Sequence, residues 1–75
     1  MPNMIQRLIL KSMVPGKAMT RYQIEQEASK HTGCRVRLDG FQLQMETMPD
    51  HVVRDTGSWT RWKMRHHEFK NRSRQ

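Results

Sequence analysis

This chain is short of cysteine and of long apolar runs, and its acidic residues are half as many as its basic ones. A single cysteine, Cys34, excludes an intrachain disulfide and suits a reducing cytoplasm. The longest apolar run is Leu8-Ile9-Leu10, far below the roughly 20 residues of a membrane span. No charged lead followed by a long apolar core opens the chain, so no secretory leader is expected. The reading is of a cytoplasmic protein with no membrane partner. Internal repeats are missing too. At 75 residues the chain allows one domain that buries only about 60% of its unfolded surface, and an oligomer or bound partner could supplement so small a core.

Catalytic and metal chemistry are poorly provided for. There is no glycine-rich phosphate loop and no serine with a plausible set of partners. Cys34 stands in an alternating apolar series, where a lone cysteine is more often core than nucleophile. A metal site would draw on His31, Cys34, His51, His66 and His67, but no second Cys-x-x-Cys or His-x-x-x-His pair completes four ligands. The expectation is a non-enzyme with no cofactor and no metal.

What is present is positive charge, unevenly spread. Lysine and arginine number 14 against seven aspartates and glutamates, a formal net charge of +7. Residues 1–50 hold seven basic and five acidic residues, net +2, and residues 51–75 hold seven basic and two acidic, net +5. Such asymmetry points to a polyanion, most often nucleic acid.

Taken in order, Asn3 caps a first helix over 3–13, with Gln6 three residues on. Ile5, Leu8, Ile9 and Met13 recur at helical spacing. Pro15-Gly16 ends it. Thr20 and Gln23 form a capping box for a second helix over 20–31, with Met19 and Ile24 placed as a hydrophobic staple and Gly33 as a left-handed stop. Ile24, Ala28 and Tyr22 are its inward candidates. Arg21, Gln23, Glu25, Gln26, Glu27 and Lys30 are solvent candidates. Residues 51–65 read as a β-hairpin turning at Asp55-Thr56-Gly57-Ser58. Its returning strand puts Thr60, Trp62 and Met64 on the core face and Trp59, Arg61, Lys63 and Arg65 on the other. Residues 66–75 read as a basic, mobile tail with Phe69 as an anchor, leaving 1–65 as the domain. Met13, Met45, Met48 and Met64 fall on inner faces.

Asp39 to Met48 admits two readings. As a helix over 39–48, Asp39 caps, Gln42 completes the box, Leu38 and Leu43 staple, and Phe41, Met45 and Met48 share a face before Pro49. As a returning strand, it pairs with Cys34–Leu38 across Asp39-Gly40, giving a helix plus antiparallel hairpins with 34–45 as one of them. The recurrence of a capping residue with glutamine three later, at Asn3, Thr20 and Asp39, favours the helix. The expected core is Ile5, Leu8, Ile9, Ile24, Ala28, Leu38, Phe41, Met45, Val53 and Trp62.

The order helix, helix, helix, β-hairpin resembles a winged helix-turn-helix DNA-binding domain over residues 4–65. The likeness is carried by MTRYQIEQE as second helix, FQLQMETMPDHVVRDTG as third helix and first wing strand, and WTRWKM as returning wing strand. It implies an α+β fold that binds double-stranded DNA and regulates transcription, with the third helix in the major groove. On that helix Gln42 and Gln44 are the base-reading candidates, Gln42 for the bidentate amide contact to adenine. Arg35 and Arg37 approach from its N-terminal side. Arg54, Arg61, Lys63 and Arg65 on the wing hold phosphates, with Trp59 a candidate to stack on a base or sugar. A homodimer on a two-fold site is compatible with so small a footprint. Two features depart from the family. The link from Gly33 to Leu38 is longer than a tight turn, and the third helix carries no lysine or arginine. By size the chain also resembles small phage or plasmid regulators. The alternatives are therefore a protein that binds and inhibits a host protein, or an RNA-binding protein.

Overall fold

The computed structural model describes residues 1–55 and 60–65. Three helices precede a two-stranded antiparallel hairpin: α1 (Met4–Ser12), α2 (Arg21–Thr32), α3 (Phe41–Glu46), β1 (Val52–Asp55) and β2 (Arg61–Met64). The fold is α+β, as the helical reading of residues 39–48 requires. The rival hairpin over 34–45 does not form.

The first two helices begin alike. The Asn3 side chain accepts the Gln6 amide at 2.8 Å, and Gln6 Oε1 accepts the Asn3 amide at 3.0 Å. Thr20 and Gln23 repeat the exchange at 3.3 and 3.0 Å. Met19 and Ile24 are both buried, as a staple demands. Gly33 ends α2 in the left-handed region at φ 76°, where a side chain would be strained.

The third helix starts differently from the expectation. Its cap is Gly40, at φ 63°, and no side chain bonds to the first turn. Asp39 therefore does not cap, Gln42 closes no box, and Leu43 is 64% exposed, so it staples nothing to Leu38. The left-handed Gly40 delays the helix to Phe41 and drops Phe41 into the core beside Met45 and Met48. A cap contributes about 1 kcal/mol, whereas burying a phenylalanine contributes about 1.5–3, so burial decides the start. The far end is closed by side chains. Thr47 Oγ1 donates to the Leu43 carbonyl at 2.9 Å, and Gln6 Nε2 reaches across from α1 to the Gln44 carbonyl at 3.1 Å and to Thr47 Oγ1 at 2.8 Å.

This role of Gln6 accounts for a second correction. The inward positions of α1 are Gln6, Ile9 and Ser12, so Ile5 is turned out to 41% exposure and Leu8 is half-buried. Tyr22 also points outward, at 67%; it lies two residues, about 200° of helical rotation, from buried Ile24.

In the hairpin Val52 pairs with Met64, Val53 with Lys63, Arg54 with Trp62 and Asp55 with Arg61. Side chains alternate across a strand, so only one of the two adjacent valines can join Trp62 and Met64 beneath the sheet. That residue is Val52; Val53, expected in the core, is 40% exposed, and Thr60 is exposed as well. Met19 and Trp62 exchange both backbone hydrogen bonds at 2.8 Å, an antiparallel bridge that ties the residue before the Thr20 cap to the returning strand. The resulting core joins Ile9, Met13, Met19, Ile24, Leu38, Phe41, Met45, Met48, Val52, Trp62 and Met64. The expected hairpin turn and the 66–75 tail with Phe69 fall outside the described residues, apart from Asp55 at the end of β1.

Candidate nucleic-acid interface

The link between α2 and α3 is held in place by α2 itself. Glu25 Oε2 accepts the Leu38 amide at 2.8 Å, and Ser29 Oγ accepts the Val36 amide at 2.9 Å. The two periods nearly match. Four helical residues advance about 6 Å, and two extended residues about 6.6 Å, so side chains one turn apart can pin alternate amides. Glu25, expected in solvent, is thus a partner of the link, and also binds Arg21 Nε at 3.1 Å. Burial pushes the Glu25 carboxyl up, but the Leu38 amide and the guanidinia of Arg21 and Arg37 outweigh it and hold it below its ordinary value of 4.5.

Pinning alternate residues sorts the link into two sides. Leu38 is buried and Val36 half-buried, while Arg35 and Arg37 are exposed. Neither guanidinium hydrogen-bonds to a described residue. Both line an open groove of about 720 Å³ against α2, together with Tyr22, Gln26 and Lys30. Cys34 is exposed rather than core, since the alternating series belongs to a pinned link and not to a sheet.

The hairpin carries a second cationic group. Arg61, Lys63 and Arg65 occupy its outer face and are exposed. The Arg65 guanidinium donates to the Pro49 carbonyl, and Asp55 lies opposite Arg61 in the ladder. Arg54 is also exposed but springs from the other face, opposite Trp62, and donates to Thr60 Oγ1 at 3.4 Å. On α3 the exposed side chains are Gln42, Leu43 and Glu46. Gln44 is turned toward α1, where its Oε1 accepts Asn3 Nδ2 at 3.1 Å. The candidates therefore fall into three groups: the link, the outer side of α3 and the hairpin. Trp59 lies outside the described residues.

Sequence reasoning overlooked the groove, because its other wall is made of Gln26 and Lys30, read as solvated helix surface, and of Tyr22, read as facing inward. The signal available was the pairing of Glu25 with Ser29 one turn apart, opposite a link with alternating apolar residues. His31 and Cys34 are exposed, and among the described residues no three His, Cys, Asp or Glu side chains group closely enough to hold a metal ion. His66 and His67 lie outside them. No described helix is long and apolar enough to cross a membrane. The chain matches no protein-family model, no curated protein and no solved structure.

Proposed function

We propose that the protein is a small double-stranded DNA-binding module of the winged helix-turn-helix kind, acting in transcription or a related DNA transaction. The observation that supports this best is the set of exposed cations without a hydrogen-bond partner among described residues, Arg35 and Arg37 before α3 and Arg61 and Lys63 after it. Six residues make α3 about 9 Å long, which spans roughly three base steps at ~3.4 Å each. So short a reader, with Gln42 as its one outward amide, supplies little affinity. Phosphate contacts from the link and the hairpin supply the rest and carry no sequence information. Each phosphate neutralised contributes ~0.9 to the salt slope, so four cations give a slope of about −3 to −4.

A DNA titration at several salt concentrations checks this division of labour. Arg61→Ala and Lys63→Ala each weaken all duplexes alike and lower the slope by about one. Gln42→Ala costs about 1–3 kcal/mol on a preferred site and nothing on random duplex. Uniform loss on Gln42→Ala would contradict its reading role. One observation favours a second reading, a protein partner: Leu43 and Glu46 accompany Gln42 on the outer side of α3. A leucine and a carboxylate there suit a protein groove better than a phosphate-lined one. No duplex binding even at low salt would leave that reading in its place.

A further inference from the structure

The groove between α2 and the pinned link has a composition that a duplex does not use in full. Its lining includes the cations Arg35, Arg37 and Lys30, the exposed ring of Tyr22 and half-buried Val36. Two of the charges are offset. Lys30 Nζ bridges to Glu27 at 3.2 Å, and Glu25 is engaged by Arg21 and the Leu38 amide. Arg35 and Arg37 remain as the groove's donors without a hydrogen-bond partner among the described residues, Arg37 acting on Glu25 through its charge alone. Their backbone is set before any ligand arrives, by Ser29 on Val36 and Glu25 on Leu38. The Tyr22 hydroxyl accepts Gln26 Nε2 at 2.7 Å, which holds the ring beside the groove.

A paired duplex presents phosphates and sugars on its outside and keeps the faces of its bases stacked. Arginines could grip such a surface, but an exposed aromatic ring and an apolar Val36 would gain nothing from it. An unpaired nucleotide offers both a phosphate for the cations and a base face for the ring. From this we infer that the groove extends the duplex contact: where the pairing ends, the unpaired strand runs on past Arg35 and Arg37, which hold phosphates at the junction, and stacks a base on Tyr22. This rests on the nucleic-acid reading above and extends it, since the protein then prefers a junction of duplex and single strand to a blunt duplex.

Fluorescence anisotropy with three DNA probes tests the inference: a blunt duplex, the same duplex with a single-stranded overhang, and the overhang strand alone. The overhang should tighten binding at least about fivefold over the blunt duplex, the lower range of one stacked base. Tyr22→Ala should abolish that gain while leaving blunt-duplex binding unchanged, and Tyr22→Phe, which keeps the ring, should retain it. Arg61→Ala should weaken both duplex probes equally. Tyr22 is exposed, so neither of its variants should lower the melting temperature. An overhang that adds nothing, or a gain that survives Tyr22→Ala, overturns the groove inference and leaves duplex binding standing. Binding to the strand alone, lost on Tyr22→Ala and without any duplex binding, upholds the groove and sinks the duplex reading. No binding to any probe sinks both.

Discussion

Single side chains hold the joints of this domain. Gln6 completes the Asn3 capping box of α1 and bonds to the end of α3 from a buried position. Gln6→Leu keeps much of the volume and removes both donors, so it should cost about 1–3 kcal/mol. For a domain of this size that is a fall in melting temperature of roughly 4–8 °C per kcal/mol. An unchanged melt would mean that the tie contributes nothing. Glu25 makes the link to α3 sensitive to acid. Its folded pKa lies below the ordinary 4.5, so its contribution is full above that value and is lost as pH falls through the folded pKa. Urea unfolding followed downward from neutral pH should show stability dropping below about 4.5, and Glu25→Gln should flatten that part of the curve. Gly40 stands at φ 63° with open space where a Cβ would sit. Gly40→Ala should therefore cost about 1–2 kcal/mol from backbone strain alone, and a neutral result would show that the turn relaxes freely.

At the scale of elements, what was legible in the sequence depended on how local the deciding interaction is. The capping boxes of Asn3 and Thr20, the Met19/Ile24 staple and the Gly33 stop are local, and all four are found in the structure. The apolar face of α3, Phe41 and Met45, was legible from its spacing, as was buried Met48, which the structure places just past the Thr47 cap and not in the helix. Its start was not, because Asp39 offers a good cap and only the tertiary burial of Phe41 favours Gly40 over it. The choice of Val52 over Val53 was hidden for a similar reason: each suits a strand, and pairing with Met64 selects one. The groove is the extreme case, formed by amides of the link and side chains of α2 up to 13 positions apart. Of the candidate site, Gln44 shows the same limit, since its turn toward Asn3 follows from where α1 lies. Phe41→Ala tests the element that these contacts converge on. Lost burial and a residual cavity should cost about 3 kcal/mol or more, most of the stability of so small a domain. A folded variant with an unchanged melt would remove Phe41 from the core.

For the whole molecule, the central claim is that a small helical core carries cations on a pinned link before α3 and on a hairpin after it, to grip DNA from both. The Met19–Trp62 bridge fixes the hairpin to the residue just before the Thr20 cap of α2, and Glu25 and Ser29 fix the link to the same helix. Both cationic groups therefore hang on α2, and both should meet the same ligand. The most direct measurement is a titration of the isotope-labelled protein with duplex DNA at low salt, followed amide by amide in NMR spectra. The account predicts saturable shifts at Arg35 and Arg37, at Gln42 and Leu43, and at Arg61 and Lys63 together, with one common affinity, and none along Met4 to Lys11 on the outer side of α1. Shifts confined to α1, or no shifts at all under these conditions, would contradict it.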